Sequence, residues 1–287
     1  MAKLPGFAPP SRGPSARDQA LQEAVIALQM QRPDQAERIV AEVLKASRND
    51  PRALQILGQA LVLQGRAGEA VERLERAARR SEDPALETHL AIALRAAGRG
   101  DEAINVLHHA ISRRPPYPAA FLELNQQLLA LGRHDEAIDM LRRGVALLPE
   151  VAELPIQLGY LYAARNDRKN AGALLRQGLA LAPERLDALF ALAHTLQMDG
   201  AFTEAADMYR RCLGHNPDNA EARIGLGVCL LELREVESGA DNIRRAMRSS
   251  NPKMFGQGLA TLAGAARGRF WLRPSDAARF VRGEAGR

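Results

Sequence analysis

Side chains able to do covalent chemistry are sparse in this chain of 287 residues, and none stands at a working spacing. It holds no Cys-x-x-Cys pair, no His-Glu-x-x-His helix signature and no glycine-rich loop ending in lysine. Gly225, Gly227 and Cys229 superficially suggest a phosphate-cradling loop, but their surroundings read as mid-helix, where glycine permits close packing. His108 and His109 are adjacent on a helical stretch and diverge by about 100°, poor geometry for sharing a ligand. They read as surface residues. Cys212 and Cys229 read as buried thiols in a reducing compartment. The expectation is therefore no enzyme, no cofactor and no metal site. The arginines are more numerous, and the pairs Arg142–Arg143, Arg210–Arg211 and Arg244–Arg245, with Arg176, recur along the chain. With a formal net charge of +5 they raise nucleic acid as a partner. A surface that follows phosphates needs several simultaneous contacts, and single strands need aromatic platforms. No aromatics are interleaved with these arginines, so nucleic acid is disfavoured and the ridge reads as solvated helix faces near C-terminal dipoles.

The elements that carry these residues follow a period of about 34. From Pro118, the residues Phe121, Leu124, Asn125 and Leu128 fall on one helical face, Gly132 breaks the helix, and a second run bears Ala137, Leu141 and Gly144 before Pro149. Starting at 17, 51, 84, 118, 152, 186 and 220, the eighth position is Gly or Ala at Ala24, Gly58, Ala91, Gly159, Ala193 and Gly227, with Asn125 the exception. The twentieth is Ala36, Ala70, Ala103, Ala137, Ala171, Ala205 and Gly239, and the fifteenth holds Gly65, Gly98, Gly132, Asn166 and Gly200. Such a hairpin is too small to bury its own apolar face and must stack on neighbours. Asp50-Pro51 and Asp83-Pro84 each offer a capping carboxylate before a proline at the first helical position, whereas Tyr117 before Pro118 cannot cap.

These positions resemble the tetratricopeptide repeat over about residues 17–253. The family's aromatic positions are mostly aliphatic here, with Phe121, Tyr162 and Tyr209 remaining. The resemblance implies an all-α, right-handed α-solenoid of about seven helix-turn-helix units, 17–50, 51–83, 84–117, 118–151, 152–185, 186–219 and 220–253, with no internal domain boundary. Residues 1–16, rich in Pro, Gly and Ser, read as a flexible leader without a signal-peptide core. Residues 254–287 read as a degenerate eighth repeat or capping hairpin with a basic tail, Ser275 capping a helix that carries Ala277 and Val281. Phe270, Trp271 and Leu272 there either seal the solenoid end or form an apolar docking site for a partner or a second copy of the chain. No apolar run reaches membrane-span length, and the expected location is the cytoplasm.

In the resembled family the first helix of each hairpin lines a concave groove. Carried over by register, the lining is Gln55, Gln59, Thr88, Ile92, Arg95, Leu122, Gln126, Leu129, Ile156, Tyr160, Phe190, His194, Gln197, Ile224 and Val228. The function implied is a non-catalytic scaffold that holds a peptide or protein segment there, chiefly through repeats four to seven. The alternative is an accessory subunit or truncated relative of a repeat-linked glycosyl- or sulfotransferase. Relatives that grip an acidic chaperone tail carry Lys, Asn and Arg at positions where this chain has Leu21, Val25, Gln55, Gln59, Thr88 and Ile92, so no binding of a C-terminal Glu-Glu-Val-Asp peptide is expected.

Overall fold

The computed structural model describes residues 15–248, and among them the secondary structure is entirely helical: fourteen α-helices and no strand. They are α1 (Ala16–Gln29), α2 (Pro33–Ala46), α3 (Pro51–Leu63), α4 (Ala67–Ala78), α5 (Pro84–Ala96), α6 (Gly100–Ser112), α7 (Pro118–Ala130), α8 (His134–Leu147), α9 (Glu153–Ala164), α10 (Arg168–Leu181), α11 (Leu186–Met198), α12 (Phe202–His215), α13 (Ala220–Glu232) and α14 (Val236–Arg248). The even-numbered helices begin at residues 33, 67, 100, 134, 168, 202 and 236, so the chain repeats every 33 or 34 residues. The architecture is an all-α solenoid of helical hairpins. The expected C-terminal cap, with Phe270, Trp271 and Leu272, lies outside the described residues.

Local chemistry sets the breaks. The Ala53 amide donates to Asp50 Oδ1 at 3.1 Å, and the Ala85 amide donates to Asp83 Oδ1 at 2.9 Å, each ahead of a proline in the first turn. Tyr117 forms no side-chain cap. Each odd helix ends in a residue with positive φ. Gly65, Gly98, Gly132 and Gly200 take it at φ 71–78°, and so do three residues with side chains, Gln31 (57°), Asn166 (59°) and Arg234 (70°). A left-handed backbone costs a non-glycine residue about 1–2 kcal/mol, so Gln31 and Arg234 hold this turn against their own preference.

By contacts the chain divides into two compact units, Met1–Met140 and Leu141–Arg287, the division falling within α8. In the first unit each helix from α1 to α6 packs on the next, and α1, α3, α5 and α7 also touch in succession; in the second each helix from α9 to α13 packs on the next, with α9, α11 and α13 touching. The odd helices approach one another more closely than the even ones, which makes theirs the inner face of each unit. Small residues permit the crossings. Ala36, Ala70, Ala103, Ala137, Ala171 and Ala205 are all fully buried. A Cβ on Gly58 would lie 2.6 Å from Leu74 Cδ1, and one on Gly159 would lie 2.9 Å from Leu175 Cγ. Among the described residues no helix is long and apolar enough to cross a membrane.

Candidate functional site

The inner face of the first unit encloses a hollow of about 520 Å³, lined by Asp18, Leu21, Gln22 and Val25 of α1, Arg52, Gln55, Ile56 and Gln59 of α3, and His89 of α5. On α1 and on α3 the lining residues fall at i, i+3, i+4 and i+7, so each of these helices presents one stripe. The polar groups divide sharply into spent and unspent. Asp18 is held by the Ser15 hydroxyl at 2.7 Å and by Arg17 at 3.1 Å. The Ser15 hydroxyl and then the nearby cations keep its carboxyl below the usual carboxylate range. His89 Nδ1 lies 2.8 Å from the Ala85 carbonyl, which fixes Nδ1 as the protonated nitrogen and leaves Nε2 unengaged. Among the described residues, the side chains of Gln22, Arg52, Gln55 and Gln59 form no hydrogen bond or ion pair. Gln22, Arg52 and Gln59 are exposed and Gln55 is half-buried.

The inner face of the second unit is chemically different because its amides and charges largely satisfy one another. Gln157 Nε2 donates to Glu153 Oε1 at 2.7 Å, Arg185 bridges Glu153 at 2.6 Å and Asp187 at 2.8 Å, and the Tyr209 hydroxyl donates to Gln197 Oε1 at 2.8 Å. Phe190 meets Tyr209 edge to face with ring centres 5.8 Å apart. Tyr160 is half-buried, its hydroxyl is shut from water with no hydrogen bond of good geometry among the described residues, and burial, with the nearby Asp187 carboxylate, pushes its pKa up. His194 is exposed and Val228 half-buried.

Of the side chains assigned to the groove by register, Thr88, Ile156 and Ile224 are buried and leave the accessible surface. Thr88 turns its hydroxyl back to the Pro84 carbonyl at 2.7 Å, a bond available to any helical threonine. Ile156 is wedged against Gly178, where a Cβ would collide with its Cγ1. Arg95 is exposed and paired with Glu123 at 3.2 Å, while Ile92, Leu122 and Leu129 are half-buried and Gln126 is exposed. Asp18, Gln22, Arg52 and His89 join Gln55 and Gln59 in the hollow without having been selected from the sequence. The signal was present, since positions two and six of the repeat share a helical stripe with five and nine.

The remaining chemistry-bearing groups are structural. Burial pushes the Cys229 thiol up to about 12 and raises Cys212, which keeps both protonated and poorly nucleophilic near neutrality. Gly225 backs onto the Tyr209 ring, and Gly227 lies in mid-helix against Ile243. His109 is exposed with Nδ1 2.8 Å from Glu87, and His108 is exposed too. Most of the recurrent arginines have partners: Arg142 lies over the Tyr162 ring, Arg176 pairs with Glu204, Arg210 with Asp207, Arg211 with the Pro183 carbonyl, and Arg244 and Arg245 with Asp241. Among the described residues no three His, Cys, Asp or Glu side chains are grouped to hold a metal ion.

Two family profiles described as tetratricopeptide repeat match the chain, one over residues 61–127, 94–155 and 196–241, the other over 21–85. No curated protein matches. Among solved structures, YrrB, described as a tetratricopeptide-repeat protein with an unusual peptide-binding site, is 19% identical with a TM-score of 0.59, covering 67% of this chain and 100% of its own. A chain of the Cut9–Hcn1 hetero-tetramer of the anaphase-promoting complex, 15% identical at a TM-score of 0.56, covers 85% of this chain and 48% of its own. MamA is 20% identical at a TM-score of 0.51 over 56% of this chain and 94% of its own. With the repeated small-residue crossings, the left-handed turns and the profile matches all in agreement, the chain belongs to the tetratricopeptide-repeat family.

Proposed function

We propose that this chain is a non-catalytic scaffold that holds a peptide or protein segment against the inner face of its first unit. The observation that carries the reading is the convergence of Gln22, Arg52, Gln55 and Gln59, unpaired among the described residues, on one hollow of about 520 Å³. A polypeptide presents a donor and an acceptor at every residue, and glutamine amides offer both. Because the helices that carry them are already folded, docking orders little besides the ligand. The peptide-binding site in the description of YrrB is in keeping with this class of work. The second unit is the weaker candidate, since its amides and charges are engaged with one another. The paired helix-B arginines weigh against a phosphate-tracking surface.

Selection of random peptides displayed on phage against the full chain tests the proposal. Enriched peptides, resynthesised and labelled, are expected to bind with micromolar affinity, to lose about tenfold or more on Gln55→Ala/Gln59→Ala, and to tolerate Tyr160→Ala/Phe190→Ala. The opposite pattern would move the site to the second unit.

A further inference from the structure

The same hollow restricts what it can hold, an argument that rests on the proposal that it is the binding surface. Its two ends differ in chemistry. At one end Arg52 stands exposed in the first turn of α3 without an ion pair among the described residues; the facing carboxylate, Asp18, is hydrogen-bonded by Ser15 and Arg17 and feels Arg52 only as a longer-range charge. A guanidinium is permanently charged and shaped for a carboxylate. At the other end Gln59 and His89 also border a second hollow of about 240 Å³, whose further lining is Gly58, Val62, Leu63 and Ile92. This slot is apolar. At its floor Gly58 packs directly against Leu74, which fills the space a Cβ would need. Leu63 at its edge is 45% exposed, apolar surface left in contact with water.

We infer that the segment held here is an internal stretch of polypeptide in which an Asp or Glu side chain meets Arg52 and an aliphatic or aromatic side chain enters the slot between Gly58 and Ile92. The amides of Gln55 and Gln59 take the backbone between them. From Arg52 to the middle of the slot is roughly eight residues of α3, about 12 Å at a rise of about 1.5 Å per residue. An extended chain covers this in about four residues. An internal segment suffices, because side chains about four residues apart in an extended chain reach both anchors and neither anchor requires a free terminus.

Fluorescence anisotropy on the labelled phage-selected peptides tests this. Selected sequences should carry an acidic residue about four places from a large apolar one. Arg52→Glu, an exposed change, should weaken binding by about tenfold or more, and a peptide with lysine in place of the acid should bind the Arg52→Glu protein better than the native one. Leu63→Arg should weaken peptides through the slot. Amidation of the peptide C-terminus should leave affinity unchanged; a tenfold loss would put the terminus on Arg52 and overturn the internal-segment inference. If binding needs Gln55 and Gln59 yet is indifferent to Arg52→Glu, the acidic requirement fails and the scaffold reading stands. If no selected peptide responds to either set, both fall.

Discussion

Replacing Gly227 by alanine adds one carbon at a point where α13 and α14 nearly touch. It would lie 2.5 Å from Ile243 Cγ1 and 2.9 Å from the Gly239 carbonyl oxygen. One neighbour is a buried β-branched stem and the other is backbone, so neither can swing aside. Carbon contacts settle at about 3.5–4.0 Å, so the helices must part by about 1 Å, a strain of about 2–3 kcal/mol at the upper end of overpacking. Alanine's helix preference over glycine returns about 1 kcal/mol, leaving a net loss of about 1–2 kcal/mol. Gly214 in α12 supplies the control, because a Cβ there meets nothing within 4 Å. The same substitution at Gly214 should raise stability by up to about 0.5–1 kcal/mol. In urea unfolding followed by far-ultraviolet circular dichroism, with a slope of about 2 kcal/mol per molar, Gly227→Ala should lower the midpoint by about 0.5–1 M while Gly214→Ala raises it. A midpoint for Gly227→Ala at or above the native value would refute the claim that small residues set the helix spacing.

Three further predictions concern single positions. Asn125 is 4% exposed, and its Oδ1 has no hydrogen-bond partner among the described residues; the equivalent Ala24, Ala91 and Ala193 are fully buried, so Asn125→Ala should stabilise by about 1 kcal/mol in the same urea assay, and a loss of stability would reveal a partner for the amide. Arg234 holds φ 70°, and Arg234→Gly should gain up to about 1 kcal/mol, whereas a lowered urea midpoint would show the turn to be unstrained. Burial raises the Asp50 carboxyl but the Arg17 guanidinium and the Ala53 amide outweigh it, leaving it below the usual range. A carboxylate depressed in the fold stabilises above its unfolded value, near 3.9, and loses that contribution as pH falls through the folded value. The stability advantage of the native chain over Asp50→Asn should therefore be constant from about pH 7 to 5 and shrink below about pH 4. An advantage that persists unchanged at pH 3 would contradict the assignment.

The fold was legible because its determinants are local and recur: small residues at crossings, glycine at turns, and aspartate-proline caps. Gln31 and Arg234 were not legible as left-handed residues, since nothing in their side chains prefers that backbone, and the hairpin geometry imposes it. The site was read less well. Gln55 and Gln59 were selected and lie in the hollow, but Thr88, Ile156 and Ile224 share a register position with Gln55 and are buried. That position sits at the border between solvent and the neighbouring helix, so each side chain and its partner, such as Gly178 beneath Ile156, decide the side. The emphasis on repeats four to seven followed their aromatics. It did not anticipate that Gln157, Gln197 and Arg185 spend their hydrogen bonds internally: Glu153 stands one turn before Gln157, but Tyr209 is distant in sequence from Gln197 and Glu153 from Arg185, and only the folded hairpin brings those pairs together.

The central claim, that the inner face of the first unit is where a ligand rests, is tested most directly by photocrosslinking. A benzophenone amino acid replaces Val25, an exposed residue of the hollow, in one protein, and Arg210 on α12 in another. A labelled, phage-selected peptide is predicted to attach to the first protein on irradiation and to leave the second unmodified. Attachment at the α12 position with none beside Val25 would contradict the account.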